Sequence, residues 1–149
     1  MVLEFHKTFG AKIGESPSLD VSETSHELRI NLIEEEFSEY KKAIEEKDLI
    51  EVADALADLA YVIYGAAITY GIDLDAVIKE VHRSNMSKLD ENSKPIYRAD
   101  GKIMKGPNYS PPCIEKALFK EPVGITFTNE NIIKVDNYST FFMIFEERY

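Results

Sequence analysis

The chain has 149 residues, of which 44% are apolar and 30% charged, an ordinary balance for one globular domain with a sizeable core. A formal net charge of −10 and a pI near 4.8 exclude a general nucleic-acid binder, which carries a basic face, but leave room for a small anionic ligand screened by metal or local lysines. A single cysteine, Cys113, excludes an intrachain disulfide, and the N-terminus MVLEFHKTFG lacks the apolar core of a signal peptide, so a cytoplasmic location is expected.

Residues 2–10 read as a short helix with Leu3, Phe5 and Phe9 apolar and Gly10 as its C-cap. His6 on this helix either faces a ligand or is an ordinary helix histidine. Gly14, Pro17 and the serines around them make 11–21 a loop. Ser22 or Ser25 then caps a long helix whose Leu28, Leu32, Ile33, Phe37, Tyr40 and Ile44 recur at three- and four-residue spacing. Glu36 falls between Ile33 and Tyr40 on that apolar face with Glu35 and Glu39 beside it, whereas Glu34, Glu45 and Glu46 suit solvent. Arg29, two turns before Glu36, is a candidate partner for these acids.

Lys47 and Asp48 break the run, and Asp48 can cap a third helix. From Val52 to Ile72 its only ionisable groups besides tyrosines are Asp54 and Asp58, with Glu51 just before them. At ~100° per residue Glu35, Glu36 and Glu39 share roughly 100° of arc, and Glu51, Asp54 and Asp58 roughly 60°. The short connection predicts an antiparallel hairpin, so the two acidic stripes face one another.

A helix apolar nearly all round is buried in a core or an oligomer interface. Carboxylates left unpaired there cost several kcal/mol, so a metal ion or a basic group from elsewhere in the fold must compensate them. Hard oxygen donors clustered in this way suit Mg²⁺ or Mn²⁺. The same run is long enough to tempt a membrane assignment, but two mid-helix aspartates cost about 2.5 to 3.5 kcal/mol each on insertion, and no membrane span is expected.

Asp73 or Asp75 starts a fourth helix with Leu74, Val77, Ile78, Val81 and Met86 apolar. Beyond Leu89 the texture changes: Asp100 and Gly101 form a turn signal between two short extended runs, a hairpin pattern. Lys88, Lys94, Arg98, Lys102 and Lys105 concentrate here in an otherwise acidic chain. They either meet phosphate oxygens or make a solvated basic loop. The division expected is a helical domain over 1–113 and an extension over 114–149, in which VGITFT, NIIKV and STFFMIF predict two or three short strands packed on the domain or on a second subunit.

No GxxxxGK[ST], GxGxxG, HExxH, CxxC or EF-hand loop occurs, and His6, His26 and His82 have no serine partner by motif. Facing acids with a lysine-rich segment downstream fit a site where divalent metal bridges carboxylates and a polyphosphate, and phosphoanhydride hydrolysis is the natural reaction class.

Glu35-Glu36-Phe37-Ser38-Glu39 followed by Glu51-Val52-Ala53-Asp54 gives an EExxE then ExxD pair. With EVADALADLAYVIYGAA, VHRSNMSK and DGKIMKGPNY, the chain over residues 2–113 resembles the MazG-like all-α nucleoside triphosphate pyrophosphohydrolases, in their phosphoribosyl-ATP pyrophosphohydrolase-like branch. The resemblance implies an all-α bundle of four to five helices forming a dimeric core, as a homodimer or dimer of dimers. It implies hydrolysis between the α- and β-phosphates of a nucleotide with Mg²⁺ or Mn²⁺, giving monophosphate and pyrophosphate. Glu35, Glu36 and Glu39 would then be the catalytic group. Glu36, Glu39, Glu51 and Asp54 would hold metal, Glu35 would ligate or act as the base that activates water, and Asp58 would bind a further metal or orient a side chain. Asn85, Lys88, Lys102 and Lys105 would contact phosphate or sugar; recognition of the base falls to a few loop and helix side chains, for which Phe5, His6 and Tyr109 are the candidates.

A histidine-biosynthetic role is disfavoured against nucleotide-pool cleaning, because that enzyme class is usually shorter and lacks this loop region. The alternatives are a non-catalytic helical dimer that senses nucleotide or metal, and a purely structural hairpin.

Overall fold

A computed structural model describes residues 1–119, 126–127 and 133–134. The chain is helical: α1 spans Val2–Phe9, α2 Glu23–Glu46, α3 Leu49–Thr69, α4 Leu74–Met86 and α5 Ile114–Leu118. It divides into two compact units, Met1–Leu118 and Phe119–Tyr149. Within the second, Thr126–Phe127 (β1) pairs antiparallel with Ile133–Lys134 (β2), Thr126 opposite Lys134 and Phe127 opposite Ile133. The expected STFFMIF strand lies outside the described residues.

Local chemistry sets each boundary. Gly10 ends α1 in the left-handed region at φ 68°, where its N–H reaches the His6 carbonyl. Ser22 Oγ accepts from the Ser25 amide at 3.2 Å to start α2, which resolves the choice between the two serines. Asp48 Oδ1 accepts from the amides of Ile50 at 2.9 Å and Glu51 at 3.3 Å and starts α3. Asp73 Oδ1 does the same for α4 through the Ala76 amide at 3.0 Å.

Helix α3 stops at Thr69, two residues short of the expected Gly71. The loop after α1 explains the stop, because it takes over the last carbonyls of α3: Gly14 N–H donates to Ile68 O at 2.9 Å and Ser18 N–H to Tyr70 O at 3.1 Å. Gly71, at φ 67°, lies so close to this loop that a Cβ would sit 2.3 Å from the Ser16 carbonyl oxygen. Helix α5 was not expected; Ile114–Leu118 reads IEKAL, good helix formers by residue type, at the head of a tail whose composition is otherwise β-prone.

The backbone of the first unit is the antiparallel pair α2 and α3, with α1 laid on α3 and α5 on α4. Its interior is thin. The buried apolar side chains among the described residues are Ala43, Ala55 and Ala67, while Leu49 and Ile50 are each 80% exposed and Leu28, Phe37, Ile44, Leu56 and Ile63 stand largely in solvent. Helix α3 is long and apolar enough to cross a membrane by length and composition alone, with Asp54 and Asp58 in its middle.

Candidate functional site

The α2 and α3 helices meet in a fixed register that can be followed at three levels. Nearest the connection, Ala43 and Glu39 line a cleft of about 200 Å³ together with Glu51, Asp54 and Ala55. In the middle, Asp58 is the charge that acts most strongly on Glu36. Furthest out, a Cβ on Gly65 would meet Arg29 Nη1 at 3.1 Å. Arg29, Glu36 and Ala43 lie seven residues apart, as do Glu51, Asp58 and Gly65. Seven residues make about two helical turns, ~10.5 Å, so each set runs as one line along its helix.

All six acids expected at the site, Glu35, Glu36, Glu39, Glu51, Asp54 and Asp58, therefore belong to this seam or its margin. None accepts a side-chain hydrogen bond or an ion pair among the described residues. The base nearest the cleft, Lys42, leans to Glu46 at 4.0 Å and not to them. Arg29 does not pair with them either. Contrary to the burial argument from sequence, Asp54 and Asp58 face solvent in the single chain, and Glu36 is the half-buried member. Burial, then the charges of Asp58, Glu39, Glu35 and Asp54, hold the Glu36 carboxyl above the usual carboxylate range.

Like charges crowded without a cation fit a hard divalent ion by donor chemistry. As the side chains stand, no three His, Cys, Asp or Glu groups among the described residues converge closely enough to cage one. Mg²⁺ does not require such a cage, since it is commonly held by one or two carboxylates with water and substrate phosphates completing the shell.

A second group forms at the end of α4. Lys88 Nζ donates to Asn85 Oδ1 at 2.7 Å, and Lys105 Nζ lies 4.2 Å over the Tyr109 ring. A hydrogen bond with Ser84, with the Lys105 and Lys88 ammoniums near, pulls the Tyr109 hydroxyl below the usual phenol range. The loop returns to the helix at Gly106, whose N–H donates to Lys88 O at 2.9 Å and whose missing Cβ would sit 2.1 Å from Leu89 O. Ser87 and Arg83 pin the next stretch: the Ser110 amide donates to Ser87 Oγ at 2.8 Å, and Arg83 Nη2 donates to Pro111 O at 3.0 Å.

The expected hairpin exists as one antiparallel bridge, Tyr97 to Ile103, turning at Gly101 with φ 83°. Lys102 stays at that turn, its amide donating to Asp100 Oδ1 at 3.2 Å, and among the described residues its ammonium makes no hydrogen bond or ion pair, the Lys88, Asn85, Lys105 and Tyr109 group included. No hydrogen bond or ion pair among the described residues joins this basic group to the six acids. His6 is interior, 2% exposed, with Nδ1 donating to Lys12 O at 2.8 Å.

The model of the phosphoribosyl-ATP pyrophosphohydrolase family matches residues 2–85, more than half of the chain and all of the acidic seam. The chain belongs to this family. It thereby falls in the MazG-like superfamily that the EExxE and ExxD pair suggested. The uncharacterized protein L479 of Acanthamoeba polyphaga mimivirus is 30% identical over 105 residues, a match covering 68% of this chain and 39% of the viral protein. A solved structure from Exiguobacterium sp. 255-15, of a protein proposed to be an NTP pyrophosphohydrolase, is 24% identical with a TM-score of 0.48, over 80% of this chain and 92% of that one.

Two residues escaped the sequence reading of the site. Ser84, 3% exposed, holds Tyr109 from inside α4. Arg29 was considered only as a partner for the acids, and its burial against Gly65 depends on a helix register that no local pattern announces.

Proposed function

We propose that this family member is a metal-dependent nucleoside triphosphate pyrophosphohydrolase that opens the α–β phosphoanhydride, releasing monophosphate and pyrophosphate in the service of nucleotide-pool cleaning. The observation that carries the reading is the seam itself, six carboxylates on two facing helices that no lysine or arginine among the described residues pairs with. Glu36, Glu39, Glu51 and Asp54 would hold Mg²⁺ or Mn²⁺, with Asp58 at the margin. The ion, when bound, supplies charge neutralisation at the phosphates and acidity to its water. Glu35, exposed beside Glu36, takes the proton of the attacking water. Glu36, whose carboxyl is held above the usual range by burial and by its acidic neighbours, would be returned toward the ionised form by a bound cation.

Asn85, Lys88, Lys105 and Tyr109 offer donors to phosphate or sugar from the end of α4, with Lys102 at the loop tip. The apolar faces of α2 and α3 favour a homodimer or dimer of dimers as the working unit.

The test incubates purified protein with each ribo- and deoxynucleoside triphosphate, and with phosphoribosyl-ATP, in Mg²⁺ or Mn²⁺, and separates the products. Monophosphate with equimolar pyrophosphate establishes the reaction and names the substrate. Binding without product across the panel returns the reading of a non-catalytic sensor.

A further inference from the structure

We propose that Arg29 forms a cationic niche, walled by His6, at the outer end of the α2–α3 seam that receives a phosphate-type oxyanion, the distal phosphates of the nucleotide when the site is loaded. That identification of the anion rests on the pyrophosphohydrolase reading; the existence of the niche does not.

Arg29 is 9% exposed, and its guanidinium makes no hydrogen bond or ion pair among the described residues. Its Nε is enclosed without any partner. Nη1 and Nη2 make no hydrogen bond among the described residues either, and Nη1 is turned toward Gly65. A buried charge with no counter-charge is strongly unfavourable, and buried guanidinium groups are ordinarily found paired. Among the described residues the groups placed beside it carry no acid: Gly65 on α3, His6 on α1, and Tyr70, whose hydroxyl is 3.1 Å from His26 Nδ1. Among the described residues nothing supplies the counter-charge at this point.

The niche is assembled from three segments. Lys12 O can only accept, so His6 donates to it from Nδ1, and the His6 ring is thereby oriented with Nε2 toward Gly65. A Cβ at Gly65 would meet that Nε2 at 3.2 Å and Arg29 Nη1 at 3.1 Å. The absent side chain is what lets both reach the same spot across the seam. Thr69, fully buried, ties the floor by donating to Gly65 O at 2.9 Å.

Position selects the ligand class. A guanidinium fork suits carboxylate and phosphate alike. Arg29, however, shares its helix line with Glu36 two turns away, ~10.5 Å along the axis. A polyphosphate anchored at the acids through a divalent ion runs along this line toward Arg29, whereas a lone carboxylate has no reason to bridge the two levels.

The experiment uses the full chain with chelator present, so that the acids cannot hold anion through metal, and inorganic tripolyphosphate as probe. Wild type, Arg29→Met and Arg29→Lys are compared by thermal unfolding and calorimetric titration. Expected is that tripolyphosphate raises the wild-type midpoint, that R29M unfolds at a higher temperature than wild type without anion because an unpaired buried charge is gone, and that R29M binds the probe about tenfold or more weakly. R29K, which keeps charge and loses the fork, should bind at an intermediate level. A wild type indifferent to tripolyphosphate, or an R29M that is less stable yet binds undiminished, overturns the niche. Should R29M not fold, equal binding by R29K and wild type overturns it.

A second arm separates the sources of the anion. With nucleoside triphosphate turning over, R29M should lose about tenfold in kcat/KM while inhibition by the monophosphate product is unchanged. Tripolyphosphate binding that depends on Arg29 in a protein with no turnover would keep the niche and reject only the enzyme reading.

Discussion

Glu36 and Asp58 face each other from α2 and α3, and burial, followed by the like charge of Asp58, holds Glu36 above the ordinary carboxylate range. The relationship is destabilising by itself, since desolvation and repulsion act in the same direction and no lysine or arginine among the described residues pairs with either acid. The expected consequence is that Glu36→Gln or Asp54→Asn abolishes turnover, by at least about a hundredfold, while the helical circular dichroism persists and the melting temperature holds or rises. Full activity in both variants would remove the seam from the chemistry.

The raised Glu36 pKa also fixes a pH dependence in chelator-treated protein. The slope of unfolding free energy with pH follows the protons bound by the unfolded state minus those bound by the native state. With the folded pKa above the unfolded one, the native state holds more protons between the two values, so stability falls as pH rises through that window and is regained on acidification. Thermal melts from pH 4 to 8 should show this slope in wild type and a flatter one in E36Q; identical slopes would contradict it.

Divalent ion should reverse that behaviour. An ion bound by the native state alone adds ~2.7 kcal/mol at a hundred times its dissociation constant. Because ligands must be ionised, the gain should shrink as pH falls. Melts with Mg²⁺ and Mn²⁺ in wild type and in E36Q measure this directly, and a metal-induced shift undiminished in E36Q would place the ion elsewhere.

The α5 junction gives a prediction of opposite sign. Arg83 donates to Glu80 from Nε and Nη2, each at 2.8 Å, and the Cys113 amide adds a third bond at 2.7 Å, so the Glu80 carboxyl is pushed down to about 2. A depressed folded pKa contributes stability that is present above the unfolded value and is lost as pH falls through the folded one. Glu80→Gln weakens two charge-assisted bonds and frees the entry to α5. Hydrogen exchange over 113–118 should speed up at neutral pH while exchange in α2 and α3 is unchanged; protection retained at the Cys113 amide would refute it.

What could be read from sequence was what is decided locally. The caps at Ser22, Asp48 and Asp73 need only a side chain two or three residues from its amide, and the acidic stripes need only helical spacing. Arg29 could not be placed in this way, because its neighbours His6 and Gly65 come from two other helices. The same holds for the Lys88, Lys105 and Tyr109 group, which exists because Gly106 lets the loop touch Leu89 and Ser87 pins Ser110. Helix α5 was lost for a different reason: a five-residue helix lacks the length over which periodicity shows.

The face of α3 turned away from the seam leads to the last prediction. Leu49, Leu56 and Ile63 stand seven residues apart, and each lies two positions before a member of the Glu51, Asp58 and Gly65 line, about 160° round the helix from it. They are 80%, 48% and 40% exposed in the single chain. Each leucine or isoleucine fully buried contributes about 1.5 to 3 kcal/mol, so a second copy that covers this line from both sides gains several such terms. Light scattering should therefore give a mass of at least twice the 17.0 kDa chain. Leu56→Glu puts a charge into the contact twice by symmetry and should raise the dissociation constant by about a hundredfold or more, roughly 3 kcal/mol. A wild type that is monomeric at micromolar concentration, or a dimer indifferent to L56E, would show that this face is not the contact.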